Sequence, residues 1–237
     1  MSNTYFSFKQ FTIQQDQCAM KVSTDACIQG AWTPVAPSMM QVLDVGTGTG
    51  LLSLMLAQRM PHAAFDALEL NMPAVLQAAE NVASSPFAAR IKVSQVDATT
   101  WDTPGGYDLI ICNPPFFKNS LKGPDAARNA ARHTDVLNGH SLIEILLRNL
   151  SARGIASVIW PPAEHDAFAA LGVTSGIYLN EALQVRDRAG SRITRVIGIY
   201  SRQKGVQPPR HELIIKSADG GYTQEFIDLL SPFYLNI

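Results

Sequence analysis

Cysteine is scarce in this chain. The three present, Cys18, Cys27 and Cys112, form an odd set with no Cys-x-x-Cys spacing, which indicates neither a disulfide framework nor a zinc site. Buried free thiols are the expectation, and with no base placed beside it by the sequence, Cys112 is not read as a nucleophile. The five histidines, at 62, 133, 140, 165 and 211, show no ligand spacing, so no metal is expected. No apolar run reaches the length of a membrane span, and Met1-Ser2-Asn3-Thr4-Tyr5 lacks a basic region followed by an apolar stretch. A cytoplasmic protein without a membrane partner is expected. Charged residues make up only 16% of the chain against 46% hydrophobic, a balance that excludes a disordered protein. Repeats, low-complexity tracts and long linkers are also missing, and 237 residues suit one large α/β domain better than two.

An excess of basic charge is missing as well, since the net charge is −1. The distribution is uneven. Residues 181–216 carry eight Lys or Arg (Arg186, Arg188, Arg192, Arg195, Arg202, Lys204, Arg210 and Lys216) against three acids, whereas residues 41–112 carry three basic and seven acidic residues. A second basic cluster, Lys118, Lys122, Arg128, Arg132 and His133, lies between them. One such cluster is ordinarily a solvated face. Two flanking a candidate base pocket favour contact with nucleic-acid phosphates.

Apolar runs near 41–45, 64–69, 91–96 and 107–112 alternate with helical patterns near 50–60 and 72–83, the rhythm of a doubly wound, mostly parallel sheet. Residues 117–138 are polar and without a clear period, which predicts a loop over the pocket. A helix near 140–151, a strand at 154–160 ended by Pro161-Pro162 and a short helix near 163–170 follow. Strands at 177–187 and 192–200 are joined by Arg188-Ala189-Gly190-Ser191, which predicts an antiparallel hairpin. A strand near 211–216 and a helix near 222–230 close the chain. At the amino terminus, Phe6 to Ile13 alternates like an edge strand, and a helix ending before Pro34 takes Thr24 or Asp25 as its cap. Residues 1–36 are read as an extension covering a cofactor, and 37–237 as the main domain.

Val42-Leu43-Asp44-Val45-Gly46-Thr47-Gly48-Thr49-Gly50 is a short apolar strand, an acid near its carboxyl end and three glycines spaced two apart before a helix. Such a loop lets a ligand lie against the main chain. The spacing differs from the dinucleotide G-x-G-x-x-G and argues against NAD without excluding it. Glu69 ends the second strand, where a carboxylate accepts ribose hydroxyls, and Asp97 follows the third, within reach of an adenine amine. Asn113-Pro114-Pro115-Phe116 follows the fourth. Asn113 offers a side-chain carbonyl, the prolines stiffen a turn that presents acceptors, and Phe116 adds a stacking face. Two acceptors aimed at an exocyclic amine favour its pyramidal, attacking form, which is the need of an amino methyltransferase. Taken alone, the tetrapeptide is equally a strand-ending proline turn, and a lone strand-end acid is usually a solvated cap. The order counts for more, because a doubly wound sheet brings all four strand ends to one edge. S-adenosylmethionine is the cofactor this constellation suits.

These residues resemble the Rossmann-like class I S-adenosylmethionine-dependent N-methyltransferases. Phe8-Lys9-Gln10-Phe11, Cys18 to Asp25, Ala131-Arg132-His133-Thr134 and the closing Tyr222-Thr223 to Phe233-Tyr234-Leu235 narrow the resemblance to bacterial tRNA (adenine-N6)-methyltransferases, which modify the adenine following the anticodon of valine tRNA. The resemblance implies that Asn113 and the Pro114 carbonyl hold the amine, with Pro115 stiffening the turn, Phe116 stacking the flipped base and Phe117 lining the same pocket. It implies cofactor contacts at Asp44, Gly46, Thr47, Gly48, Gly50, Glu69, Leu70, Asp97, Ala98 and Asn113, closed over by Lys21, Thr24 and Asp25. Substrate tRNA would meet Lys118, Arg132, His133, Arg192 and Arg195, and a monomer is favoured. The alternatives are a ribosomal-RNA guanine-N2 or protein-glutamine methyltransferase, a nicotinamide oxidoreductase, or a non-catalytic RNA-binding module.

Overall fold

The computed structural model describes residues 3–18, 20–115, 137–205 and 207–237. A small hairpin, β1 (Tyr5–Ser7) and β2 (Thr12–Gln14), precedes α1 (Thr24–Trp32). Four strands follow, three of them each with a helix after it: β3 (Gln41–Val45) with α2 (Leu51–Arg59), β4 (Ala64–Glu69) with α3 (Met72–Ala83), β5 (Ile91–Gln95), then β6 (Tyr107–Cys112) with α4 (Gly139–Asn149). After them come β7 (Leu150–Trp160), α5 (Pro162–Ser175), β8 (Tyr178–Arg188), β9 (Ile193–Ser201), β10 (Arg210–Lys216) and α6 (Gln224–Leu230).

Eight strands form one sheet in the order β10-β8-β9-β7-β6-β3-β4-β5. Every neighbouring pair is parallel except the two made by β9, which runs antiparallel to β7 and β8. Two reversals restore direction, so β8 points the same way as β7. The expected mostly parallel α/β sheet and its closing hairpin are both present. Side chains alternate across the sheet, and each face buries its own cluster. On one face Val42, Phe65, Leu109, Ile111 and Ile159 meet α1, α2 and α6; on the other Leu43, Val45, Ile110, Cys112 and Val158 meet α4 and α5.

Register places the functional edge. Trp160, the last residue of β7, pairs with Val196, which pairs with Gln184. Strand β8 therefore runs four residues further, to Arg188, with β10 beside it as far as Lys216. At about 3.3 Å per residue the β8-β9-β10 group overhangs the carboxyl edge by about 13 Å.

The amino-terminal segment departs from expectation. It is a two-stranded hairpin in a sheet of its own, not an edge strand of the main sheet. Phe8 donates its N–H to the Phe11 carbonyl at 2.8 Å, and the two rings stack at 4.7 Å. Phe8 also bridges to Tyr234, so the two ends of the chain clasp each other. Helix α1 is capped by Ser23, whose Oγ accepts the Ala26 N–H, in place of Thr24 or Asp25. Strand β7 starts at Leu150, directly from α4, and α5 runs on to Ser175, beyond the expected end.

Arginines close the helices. Arg59 donates to the carbonyls of Gly30 and Thr33 at 2.8 Å, finishing α1. Arg90 donates to Ala57, Met60 and Ala63 carbonyls at 2.7, 2.8 and 3.1 Å, finishing α2, and its guanidinium lies over Phe65 and Phe87. Helix carboxyl ends carry unpaired carbonyls and partial negative charge, so a guanidinium there is favourable twice over. Arg90→Met keeps the stem and removes the donors. It is expected to lower unfolding free energy by about 1–3 kcal/mol, read as a lower urea midpoint at unchanged slope, and an unchanged midpoint would refute this role.

Candidate active site

Four strand ends supply the floor of one cavity, of about 450 Å³. Its wall includes Val45, Gly46 and Gly48 after β3, Leu68, Glu69 and Leu70 after β4, Val96 and Ala98 after β5, and Asn113 and Pro115 after β6. Cys18 and Met20 enter from the segment after β2, Asn71, Met72 and Ala74 from the start of α3, and Leu137 from before α4.

The glycine turn is built around a buried carboxylate. Gly46, Gly48 and Gly50 have φ of 70°, 56° and 83°, a conformation that side chains with a Cβ resist. Gly46 and Thr47 both donate their N–H to the Leu68 carbonyl at 2.9 Å. Asp44 lies beneath, wholly inaccessible. Its Oδ2 accepts from the Thr47 hydroxyl at 2.6 Å, the Ser53 hydroxyl at 2.7 Å and the Ser53 N–H at 3.2 Å. It therefore caps α2 and fixes the turn together. Burial pushes its carboxyl up to about 6, more than these hydrogen bonds pull it down, and Oδ1 has no partner among the described residues.

Glu69 faces the turn. Its Oε2 accepts the Gly48 N–H at 3.0 Å, and its Oε1 accepts those of Leu70 and Asn71 at 2.9 and 3.0 Å. Three amides thus fix the orientation of one carboxylate. Asp97 turns to its own loop, where Oδ1 accepts the Thr99 N–H at 2.9 Å and hydroxyl at 2.7 Å. Asn113 stands where β6 ends, and its side-chain Oδ1 is buried with no partner among the described residues. A buried acceptor left unpaired costs about 1–3 kcal/mol, so the edge holds an unmade hydrogen bond at the cavity wall. Burial pushes the Cys112 thiol up, and that of Cys18 up to about 11, so both are neutral thiols near pH 7.

Of the residues the sequence suggests for the cofactor, Gly46, Gly48, Glu69, Leu70, Ala98 and Asn113 lie on the cavity wall. Asp44, Thr47 and Gly50 support the turn from behind, and Asp97 sits between two wall residues. Lys21, Thr24 and Asp25 do not line the cavity. Lys21 Nζ donates to the Asn3 carbonyl at 3.2 Å, Thr24 opens α1, and Asp25 pairs with Arg195 at 2.9 Å. That pair joins Arg195, expected at RNA, to an acid expected at the cofactor. Arg186 likewise binds Glu212 at 2.6 Å, and Arg202 donates to the Leu147 and Leu150 carbonyls at the end of α4. Arg192, in the β8-β9 turn, is exposed. Phe116, Phe117, Lys118, Arg132 and His133 lie outside the described residues.

The cavity suits a nucleoside cofactor by its donor set and shape. A Cβ added at Gly48 would meet nothing within 4 Å, leaving the turn's main chain open to a ligand. Val45, Leu68, Val96 and Met72 give an apolar wall for a base, beside one fixed carboxylate. Sequence reasoning placed Cys18 and Met20 in the stretch of the resemblance that runs to Asp25 but gave neither a role at the site. Leu68, Val96, Asn71 and Met72 adjoin residues it did select. Among the described residues, no cluster of three or more His, Cys, Asp or Glu side chains is placed to hold a metal, and no helix is long and apolar enough to cross a membrane.

Comparison with known proteins gives the family and the fold. Residues 33–138 match the family model described as Methyltransferase small domain. A Tolumonas auensis protein named tRNA1(Val) (adenine(37)-N6)-methyltransferase is 42% identical over 238 residues, covering 100% of this chain and 99% of its own. A Bacteroides fragilis protein of the same name is 41% identical over 241 residues, covering both chains completely. Among solved structures, an Agrobacterium tumefaciens protein described as a predicted O-methyltransferase superposes with a TM-score of 0.66 at 18% identity, covering 90% of this chain and 100% of that one. A human methyltransferase 10 domain containing protein gives 0.53 at 19% identity, covering 81% and 90%. At such identities these two show the fold alone.

The raised carboxyl of Asp44 has a signed consequence. Its folded value of about 6 exceeds the ordinary 3.8, so the native state holds a proton that the unfolded chain releases between those values. Stability falls as pH rises through that window, and the penalty is complete above it. Asp44→Asn is expected to gain about 3 kcal/mol relative to the native protein between pH 4 and pH 7, measured by chemical denaturation. A difference independent of pH would place that proton elsewhere.

Proposed function

The chain belongs to the tRNA1(Val) (adenine(37)-N6)-methyltransferase family, and from that premise we propose that it methylates the exocyclic N6 amine of the adenine beside the anticodon of valine tRNA, with S-adenosylmethionine as methyl donor. The observation that carries the reading is Asn113 Oδ1, a buried carbonyl oxygen with no partner among the described residues, on the wall of a cavity built from four strand ends.

The chemistry follows from what an adenine amine lacks. Its lone pair is delocalised into the ring and the nitrogen is nearly planar, so it attacks poorly. Acceptors that take its N–H groups out of the ring plane return the lone pair to nitrogen. Asn113 Oδ1 supplies one acceptor and the Pro114 carbonyl the second, with both prolines limiting how far the turn can relax. When bound, S-adenosylmethionine supplies an electrophilic methyl group on a sulfonium. No strong base is required, because the alkylated amine is cationic and sheds its proton to water. Phe116, which the sequence offers as the stacking surface, completes the clasp in this reading.

Glu69 orients the ribose. Its three amide partners occupy three of roughly four acceptor sites, so holding both ribose hydroxyls requires at least one of those amide bonds to exchange. Gly46 and Gly48 leave the main chain open along the cofactor, and Val96 and Ala98 bound its base. An unstacked loop base costs less to extrude than a paired one, which suits an adenine beside an anticodon. Exposed Arg192, on the overhang beyond the carboxyl edge, reaches the phosphates around that loop. A nicotinamide oxidoreductase would leave the Asn113 acceptor without a use.

Asn113→Ala is expected to lower kcat by about a hundredfold to a thousandfold while leaving the dissociation constant for S-adenosylhomocysteine within about twofold. Labelled methyl transfer and calorimetry measure the two, and equal losses in both would remove Asn113 from the transition state. Arg192→Glu is expected to weaken tRNA binding and to reduce the slope of log affinity against log salt by about one or more. Unchanged salt dependence would place the phosphate contacts elsewhere.

A further inference from the structure

Helix α3 buries two amides where its packing calls for apolar side chains. Gln77 and Asn81 are one turn apart and only 3% and 2% exposed. Neither lines the cavity, and neither bonds within its own helix. Asn81 Oδ1 accepts the Gln14 N–H at 2.8 Å, while its Nδ2 donates at 2.9 Å to the carbonyls of Gln14 and Thr49. Gln77 Oε1 accepts the Gln17 N–H at 2.8 Å, and its Nε2 donates to Asp16 Oδ1 at 2.9 Å. These partners all lie outside the helix.

Those partners belong to two walls of one cavity. Thr49 sits inside the glycine turn, between Gly48 and Gly50. Residues 14–17 lead into the strap that brings Cys18 and Met20 to the cavity wall. The strap is also tied to itself, since Gln15 Oε1 accepts the Val22 N–H at 2.8 Å. With Met20 nearly half exposed, the strap has little apolar packing of its own at that point. Asn3 also holds it, its carbonyl accepting from Gln15 Nε2 at 3.1 Å and from Lys21 Nζ at 3.2 Å, but among the described residues its link to the glycine turn runs through Asn81. The assignment of amide nitrogen and oxygen is forced: a flipped Asn81 would set its oxygen against two carbonyls and its NH₂ against an N–H.

We infer that Asn81 and Gln77 are positioning residues for cofactor binding, holding the strap at a fixed spacing from the glycine turn so that the cavity is formed before the ligand arrives. This rests on the assignment of that cavity to S-adenosylmethionine. Burying two amides is costly unless each polar atom is matched, and here the matching partners are the two walls. A preformed wall removes the ordering cost that a loose one would impose on binding.

The test is titration calorimetry of the full chain with S-adenosylhomocysteine. Gln77→Met keeps volume and removes the strap contacts without touching Thr49; Asn81→Leu removes both. If the loosened strap is in place about a tenth of the time, the apparent dissociation constant rises about tenfold. The KM for S-adenosylmethionine should rise with it, while kcat at saturating cofactor and the KM for tRNA stay within about twofold. Met20→Ala combined with Gln77→Met should lose less than the product of the separate losses, because both act through one strap. Should Asn81→Leu fail to fold, Gln77→Met and its cycle with Met20 decide. Native affinity in Gln77→Met, or kcat falling in step with affinity, would overturn the inference. Native protein that binds no S-adenosylhomocysteine would instead overturn the assignment of the cavity.

Discussion

A carboxylate shut away from water, Asp44, sets the reference point of the catalytic edge. It spends one oxygen on Thr47 and Ser53, which fixes the glycine turn and the start of α2 with a single group. From that turn Gly48 reaches across to Glu69, and Thr49 reaches back to Asn81. The first contact aims an acid into the cavity, and the second ties down the strap. Parallel register then carries the same level across the sheet, since Val45 pairs with both Leu68 and Cys112. Glu69 and Asn113 each follow one of those partners, so three adjacent strands of the sheet bring both residues to one level.

Much of this was legible in residue order. Strands β3 to β6 are short apolar runs, each ended by a glycine, an acid or a proline, and such ends converge whenever the strands are parallel. The chain therefore discloses Gly46, Glu69 and Asn113 without long-range information. It does not disclose who pairs with whom across the fold. Asp25 and Arg195 are 170 positions apart, and nothing near either residue signals the other. Cys18 and Met20 fall in a stretch that carries the family resemblance, yet nothing in that stretch marks either side chain as cavity wall. The first hairpin was read as one strand because its turn, around Lys9 and Gln10, contains none of the residues that usually mark a reversal.

Counting charge proved a weaker guide than counting strand ends. Eight basic residues between 181 and 216 suggest a broad basic face. The structure commits Arg186 and Arg195 to acids and Arg202 to helix carbonyls, as it does Arg59 and Arg90 elsewhere. Arginine is well suited to this internal use, since its planar fork satisfies several carbonyls at once. At the overhang, exposed Arg188, which pairs with Asp187, and exposed Arg192 flank the turn.

In the proposed reading the Asn113 oxygen, which has no partner among the described residues, would also discriminate among bases. A carbonyl can only accept, so a purine bearing a keto group at the sixth ring position would set lone pair against lone pair inside a dry pocket. Hypoxanthine, the deaminated form of adenine, would meet that penalty even though its outline is nearly the same. In that reading one oxygen would both grip the amine and tell adenine from its deaminated form.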